Sequence, residues 1–209
     1  MSIASLSKLS VPLPPGQSST SQGLLMPKLK YRFRVTVENF GVSKPTTELT
    51  KQVVTVGRPQ VTFDQVDLHV YNSRVKIAGK HNWEDIQLVV RDDVTGAVSK
   101  LVGEQLQKQF DFFEQASASS GIDYKFTTKI EILDGGNGAY EPNVLETFQL
   151  MGCYVKQAQY QQGDYSSSDP LDITISIAYD NAIQTDVSGN PVGIGTQVGR
   201  TLGTLGTGG

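Results

Sequence analysis

Cysteine, histidine and charge are all scarce in this chain, and it has no long apolar run. A single cysteine among 209 residues, Cys153, excludes an intramolecular disulfide framework. Two histidines, His69 and His81, leave no Cys/His set for a structural zinc. No stretch approaches the roughly 20 consecutive apolar residues of a membrane-spanning helix, so no membrane insertion is expected. The opening MSIASLSKLSVPLPPGQ has no continuous apolar segment, which argues against a secretory signal. Charged residues make up 19%, below the ~25% of an ordinary domain. So sparse a charge suits a surface that a partner covers. Apolar residues at 38% are enough to bury a sizeable core and argue against wholesale disorder.

The net charge of −3 is unevenly spread: residues 1–60 carry +6, 61–140 carry −4 and 141–209 carry −5. This excludes a uniformly basic nucleic-acid binder. It suits copies that meet head to tail, although chance clustering on a solvated surface gives the same numbers.

Composition divides the chain in three. Residues 1–29, rich in Ser, Pro and Gly, read as an extended N-terminal arm, and residues 187–209 as a Gly/Thr-rich C-terminal arm in which TLG is repeated. Neither arm has the apolar content to offset its own ordering entropy. Residues 30–186 are patterned as a domain. Tyr31, Phe33, Val35 and Val37 alternate with polar residues, the mark of a half-buried strand. Residues 51–56 are a β-branched run. Val66, Leu68 and Val70 precede a turn at Asn72-Ser73, and Val75 and Ile77 return as a hairpin ending at Ala78-Gly79. Trp83 opens a strand with Ile86, Leu88 and Val90. One amphipathic helix follows, with Val98, Val102, Leu106, Phe110 and Phe113 as its stripe and Asp92-Asp93 as capping charge. Residues 123–133, 146–156 and 171–179 complete the strands, the first closed by a DGGNG loop. The fold class is mainly β, mostly antiparallel and sandwich- or barrel-like, with one amphipathic α-helix.

No catalytic set emerges. His69 and His81 lack partners at ligand spacing, and Cys153 follows a strand glycine with no base beside it. The Asp134 loop lacks the closing glutamate of a calcium site. Gly193, Gly195 and Gly199 are misspaced for a dinucleotide loop, and Ser5/Lys8 lie in the Ser-rich arm. No enzyme, cofactor or metal is expected.

The strings RVKIAGKHNWEDI (74–86), LVVRDD (88–93) with the helix after it, FQLMGCY (148–154) and LDITISIAYD (171–180) together resemble the tail tube proteins of contractile-tailed bacteriophages. The resemblance spans residues 28–183; both arms depart from the compact members. It implies a structural virion protein of the tail, assembled in the host cytoplasm. Subunits would form hexameric rings, their strands sharing one inner β-barrel, and the rings would stack into a tube. Its partners would be the sheath, baseplate and tail-terminator proteins, a tape-measure protein in the lumen, and genomic DNA passing without sequence-specific binding. A lumen that repels phosphates would suit that passage. Two alternatives are the tube of a related contractile injection device, a bacteriocin or secretion system, and a β-rich binding module. The last should cluster exposed aromatics on one strand, whereas Tyr31, Phe33 and Tyr124 read as core.

The expected subunit interface comprises the basic side of the hairpin, Arg74, Lys76 and Lys80, facing acids of a neighbour, together with Trp83. The arms would add apolar anchors across neighbouring subunits: Leu24, Leu25 and Met26 from the first, Val192, Ile194, Val198 and Leu202 from the second.

Overall fold

Alternating side chains dictate the strands of the computed structural model, which describes residues 27–42, 47–135 and 141–198. The chain divides into two units, Met1–Arg32 and Phe33–Gly209. In the first, the Arg32 N–H closes a turn on the Leu29 carbonyl at 3.2 Å, and the Arg32 guanidinium lies 5.4 Å from the centre of the Tyr31 ring. Tyr31 was expected on a core face. It is instead 71% exposed and precedes the strand.

The second unit holds the domain. Its main sheet has seven strands: β1 (Phe33–Glu38), β2 (Val53–Val56), β5 (Ile86–Arg91), β8 (Phe126–Leu133), β9 (Val144–Tyr160), β10 (Asp172–Ala178) and β11 (Asn181–Thr185). The order is β1-β8-β9-β10-β5-β2, with β11 also paired to β9 and every pairing antiparallel. Strand β9 belongs to both halves of this sheet. Residues 144–153 pair with β8 and 147–151 with β11, while 154–160 pair with β10. A separate hairpin joins β3 (Gln60–Val70) to β4 (Ser73–Glu84), and β6 (Phe110–Asp111) pairs with β7 (Ala116–Ser117). The helices are α1 (Thr47–Lys51), α2 (Ala97–Gln109) and α3 (Gly121–Tyr124). The mainly β, antiparallel class with one substantial helix is what the patterning indicated.

Both halves of the sheet contribute to one core. Val35, Val37, Ile130, Phe148 and Leu150 come from one half, Leu88, Val90, Ile173, Ile175 and Ile177 from the other, and Val98, Leu101 and Val102 from α2. Burying these side chains supplies the driving force, at about 1.5–3 kcal/mol each.

Several local expectations are corrected. The hairpin turn is Tyr71-Asn72, since Val70 pairs with Ser73, and Tyr71 takes a left-handed φ of 42°. Trp83 belongs to β4, opposite Val61, rather than opening the next strand, and His81 pairs with Phe63 in the same hairpin. Residues 123–124 are helical, with Ser120 capping α3 by accepting the Ile122 N–H, so β8 starts only at Phe126. Tyr124, expected on a core face, therefore lies in that helix and is only half-buried. Strand β11 and helix α1 had no clear signal. Asp134 binds Asn143 through both carboxylate oxygens, at 3.0 and 2.9 Å, and Gly135 takes a φ of 103°, while residues 136–138 of the DGGNG loop lie outside the described residues.

Helix α2 ends before Phe110, so Phe110 and Phe113 leave its stripe, and Phe113 is 95% exposed. The Asp111 carboxylate accepts the N–H groups of Phe113 and Glu114 at 2.9 and 3.2 Å, a local alternative to further helix. These bonds also hold Asp111 below its ordinary pKa. At the other end the N-cap is Gly96, without a side-chain cap; Asp93, three residues before it, accepts the Ala97 N–H at 2.9 Å, while Asp92 accepts the Asp93 N–H.

Two glutamines on α2 tie it to the sheet and loops. Buried Gln105 accepts the Gly41 N–H at 2.9 Å and donates to the Tyr124 carbonyl at 2.7 Å. Gln109 donates to the Val155 carbonyl at 2.9 Å and accepts the Val155 N–H at 2.8 Å, as a neighbouring strand would. Gln109→Ala strips both partners from Val155. The expected cost is about 1–3 kcal/mol, seen as a lower urea midpoint with an unchanged slope.

Candidate assembly surface

The β3–β4 hairpin grows out of one half of the main sheet: β3 follows β2, β4 precedes β5, and the Gly57 N–H donates to the Gln87 carbonyl at 2.9 Å between them. Strand alternation fixes its two faces. Towards the tip, Val66 pairs with Ile77, Leu68 with Val75 and Val70 with Ser73, giving an apolar face. The opposite face pairs Asp67 with Lys76 and His69 with Arg74. Among the described residues nothing covers the apolar face: Val66, Leu68, Val70, Val75 and Ile77 are each 46–54% exposed. A contiguous apolar strand face left open to water marks an association surface.

A bulge sits midway, where Asp64 faces Gly79 and Lys80. A Cβ on Gly79 would stand 3.0 Å from the Asp64 carbonyl oxygen, so glycine permits the close approach of the two strands. At the root, Phe63, His81, Trp83 and Tyr179 form a chain of rings with centroids 6.5, 6.1 and 5.6 Å apart. Trp83 packs on the core of its own subunit, and its buried indole N–H has no partner among the described residues.

Arg74, Lys76 and Lys80 are exposed, and none has an ion-pair partner among the described residues. After β11, Asp186 accepts the Ser188 and Asn190 N–H groups and reverses the chain. The Val192 N–H then donates to the Gln184 carbonyl and the Gln184 N–H to the Ile194 carbonyl, each at 2.8 Å. Residues 191–194 therefore lie along their own β11, half-burying Val192 and Ile194, while Val198 is 77% exposed. Leu24, Leu25, Met26 and Leu202 lie outside the described residues. The apolar hairpin face was missed because its alternation reads identically whether the apolar side meets a core or a partner.

No cluster of three metal-ligating side chains occurs among the described residues. An open concavity of about 810 Å³ in the 161–171 loop is lined by Asp164, Tyr165, Ser167 and Asp169, and the Ser167 hydroxyl donates to the Asp169 carboxylate at 2.8 Å. The strongly exposed aromatics Tyr31, Tyr71, Phe113 and Tyr165 sit on different segments, not on one strand face. No helix of the described residues is long and apolar enough to cross a membrane.

Cys153 is fully buried, and burial pushes its thiol up to about 11. The folded state thus prefers the neutral thiol. Its contribution to stability is whole below the ordinary thiol pKa of about 8.5 and is lost as pH rises towards that raised value. Burial raises the Tyr179 hydroxyl in the same direction. Denaturant midpoints measured at about pH 8 and about pH 10 should fall, and a thiol reagent should modify Cys153 only after unfolding.

Mainly antiparallel β architecture with one docked helix is the fold of chains from contractile injection machinery. A chain in the 6-fold symmetrised baseplate structure of the anti-feeding prophage matches with a TM-score of 0.58 at 15% identity, over 78% of this chain and 99% of that one. A chain in the tube-terminating cap of the same particle matches at 0.56 and 13%, over 78% and 93%. One in the extended sheath-tube complex of an extracellular contractile injection system matches at 0.53 and 17%, over 81% and 99%. No family model and no curated protein sequence matches.

Proposed function

We propose that this protein is the structural subunit of the inner tube of a contractile tail. Copies form hexameric rings whose strands join into a shared inner barrel, and the rings stack to make a channel for DNA delivery by a phage. The sheath encloses the tube, baseplate and tail-terminator proteins close its ends, and a tape-measure protein occupies the lumen before DNA passes. The observation that carries this reading is the long hairpin with an uncovered apolar face, on a fold otherwise found in injection machinery. A heterologous contact through such a hairpin both closes rings and propagates stacks. The outer edge of β1, which among the described strands pairs with β8 alone, supports lateral joining. Arg74, Lys76 and Lys80 fit acids of a neighbour, and Leu24, Leu25, Met26, Val198 and Leu202 fit arm contacts between subunits, with Val192 and Ile194 at their root.

A second reading, the tube of a related injection device, is favoured by the matched structures, which come from the anti-feeding prophage and an extracellular injection system. Electron microscopy of the purified protein at rising concentration should show rings of six and then tubes; a monomer at every concentration overturns both readings. Antibody labelling of particles from the producing cells separates them, since a phage tail joins a DNA-filled head and an injection device does not.

A further inference from the structure

The two halves of the main sheet each turn one face to the core and one away from it, and the two outward faces differ in charge. On the β1-β8-β9-β11 half the outward face carries Arg34 bound to Glu131 and Lys129 bound to Glu38, each at 2.5 Å. On the β9-β10-β5-β2 half it carries none across its middle. Ile173, Ile175 and Ile177 point inward from β10, leaving Thr174 and Ser176 outward. The register sets Ser176 between Gln157 and Gln87, and Thr174 between Gln159 and Val89, with Thr55 beyond. No side-chain hydrogen bond ties Thr55, Gln87, Gln157, Gln159, Thr174 or Ser176 to other described residues. At the margins Arg91 faces Asp172 and Lys156 binds Asp85, so opposite charges stand together.

We infer that this uncharged amide and hydroxyl face lines the bore of the assembled tube and is the surface along which duplex DNA moves. The inference rests on the tube reading above. A wall that conducts a polyanion must stay wetted without holding it: lysines would retain phosphates through counterion release, and apolar patches would dewet. Amides and hydroxyls on a hydrogen-bonded sheet meet both conditions without needing the acidic lining that would also prevent retention. The same half runs directly into the β3–β4 hairpin, so its strands are the ones prolonged past the body of the sheet. The expected passage is therefore over neutral polar groups rather than past a repelling acidic wall.

Cysteine accessibility tests the assignment, because Cys153 is fully buried and silent. Ser176→Cys and Gln149→Cys, the latter on the outward face of the other half, are each assembled into tubes. They are then treated with N-ethylmaleimide or with a polymer-linked maleimide too bulky to enter a bore. As unassembled subunits, both variants should react with both reagents. In tubes, Ser176→Cys should react with the small reagent and be spared by the bulky one, while Gln149→Cys reacts with both. Modification of Ser176→Cys by the bulky reagent, or its protection from both, overturns the proposal, as does the reverse pattern. Absence of any tube overturns the tube reading itself and is seen independently by microscopy. In a second arm, Ser176→Lys tubes should co-sediment duplex DNA in nuclease-resistant form, and unmodified tubes should not; nuclease-sensitive retention by the variant places position 176 outside the bore and refutes it.

Discussion

Leu68→Asp should abolish assembly while leaving the subunit folded. Leu68 lies in the middle of the apolar hairpin face, opposite Val75 and between Val66 and Val70, and is 46% exposed in the isolated chain. A carboxylate there remains in water in the monomer, so the thermal midpoint should move little. If a neighbouring copy covers this face, the same carboxylate is desolvated without a partner at a cost of several kcal/mol, and the apolar burial is lost as well. Since each 1.4 kcal/mol is a factor of ten, the concentration needed for assembly should rise at least about a hundredfold. Sedimentation and thermal unfolding measured on one preparation decide the matter. Tubes forming at the unmodified concentration would show that the face stays wet. A large drop in midpoint would show that it packs within the subunit.

Gly152→Ala should produce the largest loss of stability of any single methyl addition to the sheet. Gly152 interrupts β9 between the stretch paired with β11 and the stretch paired with β10, and it has a φ of +67°. A Cβ there would fall 2.1 Å from an oxygen of Asp180, whose carboxylate accepts from Lys125 Nζ at 2.5 Å. The left-handed backbone alone costs a non-glycine residue about 1–2 kcal/mol. Displacing Asp180 disturbs both its ion pair and its N–H bond to the Met151 carbonyl. A total of about 3–4 kcal/mol is expected, a large part of an ordinary domain's stability. Because the clash is pairwise, adding Asp180→Ala should cost less than the sum of the two single changes. A loss under about 1 kcal/mol in urea unfolding would show that the backbone shifts freely at this site.

How legible the fold was depended on what each segment packs against. Strands β10 and β5 were plain, because Ile173, Ile175 and Ile177, like Leu88 and Val90, meet the core with strict alternation. The helix was placed correctly, but its end was not. Phe110 and Phe113 continue its spacing, and only the Asp111 carboxylate, acting on the backbone, turns the chain away. Strand β11 was hidden because Asn181–Thr185 holds one buried side chain, Ala182, and owes its form to hydrogen bonds with β9. The basic hairpin residues and Trp83 were singled out by charge and size. The apolar face beside them was assigned to a strand and not to a surface, since periodicity reports which side is greasy and not what will cover it.

The ring chain at the root of the hairpin makes the protein its own optical probe. Trp83 is the sole tryptophan, and its ring sits 5.6 Å from that of Tyr179 and 6.1 Å from that of His81, where the two-stranded ribbon leaves the sheet. Every photon emitted by indole therefore originates at the root of the hairpin. A neighbour docking there would alter the indole's surroundings without any attached dye, so assembly can be timed in unlabelled subunits as they polymerise.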